Sequence, residues 1–259
     1  MCNVFDKPIP CQSYRSRFHL GAAAGILAFM RALPGREARG TLEGSPAAVT
    51  RAGAHADQRR RILRAVGELV AKRGYGDVTV ELIVKRAHVS YKTFYKHFGG
   101  KEECFLALFD EATAFVQRAV AAELAGEERP WAEQVVVSLR TLADLVVAQP
   151  MIARAVIVEA PTVGPAIRER YERLAKSLVP LFRAGRALTP RGDELPATIE
   201  DTLAGSVFWS AYQRLIVGEA ERLPELLPGV VEMVLRTYLG QEEASRIARG
   251  ETARETTPA

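Results

Sequence analysis

The stretch from Thr79 to Lys101, TVELIVKRAHVSYKTFYKHFGGK, constrains the fold more than any other part of the chain. Its pattern predicts a short helix, a tight turn and a second short helix. Thr79 is a natural cap for the first helix, because its hydroxyl can accept one of the backbone N–H groups left without partners at a helix start. Glu81 suits the positive end of that helix dipole, and Lys85 and Arg86 suit its negative end. Leu82, Ile83 and Ala87 supply an apolar face. His88 and Val89 make the turn, with Val89 as an apolar plug. Ser90 then caps a helix from Tyr91 to His97. Phe94 and Phe98 are four apart and lie on one side, so both belong to the core. Tyr91, Lys92, Thr93, Tyr95 and Lys96 are left for the outside. Gly99-Gly100 ends the unit, and Lys101 opens a longer helix.

A helix pair of this size with a basic and aromatic second helix suits entry into a DNA major groove. The same spacing also fits an ordinary helical hairpin, but a solvated helix rarely exposes two tyrosines. Charge supports the DNA reading. Residues 55–101 carry 11 Lys and Arg against 4 Asp and Glu, whereas residues 102–240 carry 14 against 20. A basic unit joined to an acidic body is expected when only one end of a protein meets a polyanion.

The run VSYKTFYKHF from Val89 to Phe98, followed by Lys101-Glu102-Glu103 and an apolar helix, resembles the TetR family of bacterial one-component regulators. A basic amphipathic helix ending in Arg73-Gly74-Tyr75, and the lead-in Val78-Thr79, match as well. The resemblance covers roughly residues 57–110. One position departs from it: the family usually has glycine where this chain has His88. A turn there can require positive φ, which costs any residue but glycine, though histidine less than most.

Outside this unit the pattern is helical throughout. Residues 1–54 have scattered Gly, Pro, Ala and Arg and are expected to be a disordered extension, except for an apolar run from Phe18 to Met30. Three readings fit that run: a signal segment, an extra helix, or an extension from an upstream start codon. As a helix it is too short to span a bilayer. Asp57–Arg73 reads as the first helix, with Ile62, Leu63, Val66, Leu69 and Val70 at helical spacing. Arg59, Arg60, Arg61 and Arg64 crowd its start, against the dipole. A phosphate backbone would favour them there, and solvated arginines are the plainer reading. Further helices are expected from Lys101 to Ala125, from Trp131 to Ala148, over Met151–Glu159, and from Pro161 to Ala187 with a kink or split at Pro180. Thr198–Gly218 and Leu223–Leu239 close the fold. The charged residues 241–259 read as a flexible tail.

Catalytic patterns are missing from the sequence. Its four histidines are His19, His55, His88 and His97. None falls in residues 102–240, which excludes a histidine-based triad in the body. There is no glycine-rich phosphate loop and no HExxH. Cys2, Cys11 and Cys104 have no metal-ligand spacing, so no metal and no cofactor is expected, and a cytoplasmic location is the default. Cys104 reads as a buried small hydrophobe.

The expectation is an all-α protein. Residues 55–101 form a three-helix helix-turn-helix head, and residues 102–240 form a helical body that binds an effector and dimerises. Ser90, Tyr91, Lys92, Thr93 and Lys96 are expected to face the groove. Thr79, Tyr95, His97 and Lys101 are expected to hold phosphates, and the resemblance places phosphate contacts at the last three. Phe115, Arg154, Glu159, Tyr171, Trp209 and Tyr212 are candidates for an effector pocket. The resemblance also implies that the last two helices pair across a two-fold axis, with Leu203, Val207, Ala211, Val230, Val234 and Tyr238 at the interface. The function expected is a ligand-responsive repressor, a homodimer on a double-stranded DNA operator, released by a small apolar or amphipathic effector and not bound to a membrane. The effector signal would travel through the helix starting at Lys101. An architectural DNA-binding protein without an effector is the rival, and a helical enzyme is a third class.

Overall fold

The computed structural model describes residues 46–126 and 128–250. Among them every regular element is helical and there is no strand. Three helices make the head: α1 (Pro46–Arg73), α2 (Val80–Ala87) and α3 (Tyr91–His97). The long α4 (Lys101–Leu124) leads into a body of α5 (Trp131–Ala148), α6 (Pro150–Arg154), α7 (Pro165–Ala175), α8 (Val179–Ala184), α9 (Ile199–Val217), α10 (Leu223–Leu239) and α11 (Gln241–Ala248). A π-turn, Ala155–Glu159, runs on directly from α6. No single helix among the described residues is long and apolar enough to cross a membrane. The apolar run Phe18–Met30 lies outside the described residues.

Three boundaries differ from the sequence expectation, each for a physical reason. The first helix does not begin at Asp57 but runs unbroken from Pro46. Proline suits a first helical position, and Ala47, Ala48, Ala52, Ala54 and Ala56 continue the helix as its best formers. Asp57 instead pairs within the helix with Arg60 and Arg61. The segment 161–187 is split: α7 ends at Ala175, and α8 starts with Pro180 in its first turn, where its missing N–H costs nothing. Residues 241–248 do not fray. Ala244 and Ala248, four apart, are buried in the body core, and Ser245 donates to Glu232 Oε1 at 2.6 Å.

The core has two parts. One joins Ile62, Leu63 and Val66 of α1, Ile83 and Ala87 of α2, and Phe94 and Phe98 to Phe105, Leu108 and Phe109 of α4. It continues without interruption into Ala155, Val156 and Ile167 of the body. The hydrophobic packing of the head therefore crosses the expected boundary after residue 101. The second part centres on Val135, Leu139, Phe182, Leu203, Val231, Val234, Leu235 and Tyr238. Truncating one of the phenylalanines, such as the fully buried Phe94, would cost about 3–5 kcal/mol. Beside the second part, Arg186 clamps the loop between α8 and α9. It donates to Glu200 through Nε at 2.6 Å and Nη2 at 3.1 Å, and to the Gly192 and Leu195 carbonyls at 2.8 and 3.0 Å. Tyr238 donates to the same carboxylate at 3.3 Å.

Candidate functional site

The turn between α2 and α3 follows from its residues. Thr79 accepts from the Leu82 N–H, and Ser90 accepts from the Thr93 N–H at 3.0 Å. Both hydroxyls therefore cap their helices, and the Ser90 and Thr93 hydroxyls lie 2.9 Å apart. His88 is left-handed, with φ 52° and ψ 51°. Its N–H reaches the Lys85 carbonyl at 3.4 Å, and the Val89 N–H reaches Val84 at 3.1 Å. These two bonds form the Schellman arrangement that usually recruits glycine. Arg61 completes the turn by donating to the Ala87 and His88 carbonyls at 3.2 and 3.3 Å.

With Phe94 and Phe98 buried, α3 turns Tyr91, Lys92, Tyr95 and Lys96 outward. Tyr91 and Tyr95 are 50% and 56% exposed, large apolar rings left facing solvent. Thr79 is exposed too, and Thr93 is partly so. Two residues expected to hold phosphates have partners within the chain. Lys101 donates to the Tyr75 carbonyl at 3.0 Å and lies 4.2 Å from the centre of the Tyr75 ring. The His97 ring lies 4.0 Å from that of His55 of α1, tilted by 42°, and its Nε2 is buried without a hydrogen-bond partner. Burial, and then the nearby His55, Arg59 and Lys96, lower the His97 pKa. That nitrogen is turned away from any external phosphate.

The arginines crowding α1 have internal partners as well. Arg59 pairs with Glu111 of α4 and lies over the Phe98 ring, and Arg60 pairs with Asp57. Arg86 of α2 pairs with Glu68 of α1, its Nε donating at 2.9 Å. Arg59 thus joins α1 to α4 and packs on the ring that ends α3, and Arg86 joins α2 to α1. Cys104 is buried beneath them, and burial pushes its thiol pKa up, which leaves it unreactive.

The body encloses a cavity of about 170 Å³. Phe115 and Val116 of α4, Leu142 and Val146 of α5, Ile152 and Val156 after it, Val207, Phe208 and Ala211 of α9, and Leu227 and Val230 of α10 are among its walls. Its polar lining consists of Thr113, Gln149, Ser177 and Ser210, with no charged side chain. The hydroxyls of Thr113 and Ser210 bond to carbonyls of their own helices.

Of the six residues expected around an effector, only Phe115 lines this cavity. Arg154 and Glu159 form an ion pair beside α1, at 3.6 Å. Tyr171 donates to the Ile157 carbonyl behind the wall, at 2.9 Å. Trp209 and Tyr212 stack on each other on the outer side of α9, where Trp209 is 57% exposed.

The expected dimer residues are also displaced. Leu203, Val234 and Tyr238 are buried in the protomer's own core, and Val207, Ala211 and Val230 line the cavity. All six face inward. The reason is that α9 is apolar on two sides, which sequence periodicity alone cannot rank. The opposite side, with Trp209, Tyr212 and Ile216, is the outward one. A paired aromatic one turn from an isoleucine was the signal available for it.

Residues 62–108 match the family described as "Bacterial regulatory proteins, tetR family". No curated protein matches the chain. Solved structures with a similar fold include the fatty acid degradation regulator FadR from Bacillus halodurans (TM-score 0.61, 19% identity, covering 69% of this chain and 94% of that one). Another is the FadR of Bacillus subtilis, solved in complex with stearoyl-CoA (TM-score 0.57, 20% identity, covering 70% and 97%). A TetR-family transcriptional regulator from Streptomyces coelicolor is also similar (TM-score 0.58, 19% identity, covering 76% and 97%). Residues 62–108 thus match the tetR family of bacterial regulatory proteins, and the chain shares the fold of these structures, a helix-turn-helix head on a helical body.

Proposed function

We propose that the protein is a ligand-responsive transcriptional repressor that holds a pseudo-palindromic operator as a homodimer. The observation that carries this reading is the outward face of α3. A capped, rigidly seated helix presents two exposed tyrosines and two exposed lysines on one side. Tyr91 and Lys92 stand at its N-terminal end, the part that reaches base edges in this docking mode. Tyr95, Lys96 and Thr79 flank them as phosphate contacts. Lys101 adds one through a donor left over from the Tyr75 carbonyl. Residues 55–101 act as the DNA-binding unit and 102–240 as the effector-binding and dimerising unit.

The effector is an elongated apolar molecule. A cavity without a charged wall cannot neutralise an acidic group inside it, so a charged head would stay at the mouth while the apolar part enters. A long acyl chain has this chemistry, and the stearoyl-CoA complex of the similar Bacillus subtilis regulator supports the choice. Dimerisation uses the outer face of α9 and α10: Gly205, Trp209, Tyr212 and Ile216 with Gly229 and Met233. Trp209, Ile216 and Met233 are exposed there, and the glycines allow close approach of a second copy. As an intracellular DNA-binding protein it would work in the cytoplasm.

The test is selection of duplexes from a random pool by the purified full chain, followed by affinity measurement with and without stearoyl-CoA. A palindromic consensus whose binding weakens on adding stearoyl-CoA is the expected result. Recovery of unrelated sequences with equal affinity would instead favour an architectural protein.

A further inference from the structure

We propose that occupancy of the cavity reaches the head through the C-terminal half of α1, with Ile152 as the sensing side chain and Arg154 as the tie. This rests on the reading that an effector enters the cavity. It adds a route beside the direct connection through α4.

Ile152 belongs to two places at once. It lines the cavity, and its Cδ1 fills the space beside Gly67 of α1. A β-carbon at Gly67 would lie only 2.5 Å from that methyl. Glycine is what lets the cavity wall press directly on the backbone of the head helix. At this point Ile152, with Leu108 of α4 beside it, packs against the backbone of α1.

Arg154 lies two residues further on. Its Nε donates to the Ala71 carbonyl at 3.0 Å, one turn beyond Gly67. Its Nη1 donates to the Leu215 carbonyl at 2.7 Å. Both carbonyls belong to last turns, of α1 and α9, where a cation is favoured; the Leu215 carbonyl also accepts from the Gly218 N–H at 3.3 Å. One guanidinium therefore joins the end of the head helix to the end of the helix whose outer face is the proposed dimer contact. Glu159 holds the guanidinium from the other side, at 3.6 Å.

The segment between Arg154 and Glu159 is the π-turn, whose Val156 and Ile157 also line the cavity. A π-turn stores one more residue than the α-turn it replaces, so it can shorten or lengthen without disturbing α5 or α7. Tyr171 anchors it at the Ile157 carbonyl. A chain-like ligand displacing Ile152 and Val156 moves this segment, and Arg154 transmits the movement to both helix ends together.

The experiment uses the full chain, the selected duplex and stearoyl-CoA as probe. The quantity read is the ratio of duplex Kd with and without the probe. In Arg154→Gln, affinity for the free duplex and for stearoyl-CoA should each stay within about threefold of wild type, while the ratio falls at least about fivefold toward one. An Arg154 that merely supports the fold would lower the melting temperature and leave the ratio intact, and an unchanged ratio overturns the proposal. Should the wild-type protein not respond to stearoyl-CoA, the proposed effector fails and the relay is judged without ligand. Ala211→Phe fills the cavity from α9, and amide exchange at residues 71–75 reports on the end of α1. Faster exchange in Ala211→Phe that disappears in the double variant with Arg154→Gln supports the relay; exchange equal to wild type overturns it. If Ala211→Phe does not melt cooperatively, Ala153→Leu takes its place with the same two outcomes.

Discussion

Replacing His88 by glycine should stabilise the protein, although it removes a side chain from the DNA-binding unit. His88 holds φ 52° and ψ 51° at the end of α2, and it is the one residue other than glycine with positive φ among the described residues. Left-handed backbone costs an ordinary L-residue about 1–2 kcal/mol, and histidine falls at the low end of that range. Glycine removes the cost but enters the folded state from a freer unfolded chain, which returns about 0.4–1 kcal/mol. The net gain is at most about 0.6 kcal/mol, or a melting temperature higher by up to about 2 °C in a chain of this size. His88→Ala keeps the strain and loses the tolerance of histidine for it, so it should melt below wild type. The order Gly above His above Ala is the signature, read by thermal unfolding of the three proteins side by side. Amide exchange at Val89, whose N–H closes the turn on Val84, gives the local measure and should slow in the glycine variant. A glycine variant that melts below wild type would refute the strain argument and show that the His88 ring contributes more than its backbone costs.

Other outcomes follow from the same geometry. Lys92→Ala should weaken binding to the selected duplex by about 1–3 kcal/mol and leave random duplexes less affected; equal losses on both would make Lys92 a phosphate contact. Trp209→Glu should give a folded monomer in sedimentation, because it places a charge on the outer face of α9. Val234→Asp should instead unfold the body, since Val234 is fully buried; a well-folded monomer from Val234→Asp would reverse the assignment of faces. The hydrogen bond from Arg186 holds the Glu200 pKa below its ordinary value of 4.5, against the opposing effect of burial. A lowered carboxylate pKa stabilises the fold above the unfolded value and ceases to do so as pH falls through the folded value. Acid melts should therefore steepen below about pH 4.5 in wild type and flatten in Glu200→Gln, which should also melt lower at neutral pH.

The legible parts of the fold are those set by local chemistry. The limits of α3 follow from a cap at Ser90 and a glycine pair at its end, and those of α5 from Pro130 and Pro150. The split near Pro180 follows from a missing N–H. The start of α1 was hidden because Asp57 has the chemistry of a cap, while the alanines before it carry the helix past that point. A cap residue permits a start without forcing one. The end of the body was hidden for the opposite reason: residues 241–248 look like solvated helix, and their two buried alanines are too small to stand out among the charges. The faces of α9 were illegible in a deeper sense. Both sides are apolar, and only packing against α8, α10 and the π-turn decides which is covered by the chain itself. The cavity escaped because it has no special residue. A search for aromatic and charged side chains found Arg154, Trp209 and Tyr212, whereas the walls are ordinary leucines, valines and alanines.

The basic excess of the head shows what a charge count conceals. Eleven Lys and Arg over residues 55–101 suggest a broad phosphate-binding surface. In the folded head Arg59 turns to Glu111, Arg60 to Asp57, Arg86 to Glu68, Arg61 to the carbonyls ending α2, and Lys101 to the loop after α1. Arg59, Arg86 and Arg61 each join one helix to another, Lys101 joins α4 to the loop after α1, and Arg60 pairs within α1. Arg59, Arg60 and Arg61 stand in the middle of α1, not at its start, and their partners lie within the chain. The buried Phe94 and Phe98 seat α3, with Arg59 over the Phe98 ring, and Lys92 and Lys96 stand exposed on it beside Tyr91 and Tyr95. Much of the positive charge of the head is engaged within the fold, and Lys92 and Lys96 are exposed for the proposed contact with DNA. The protein thus obtains a rigid, narrow contact surface from a sequence that looks uniformly basic.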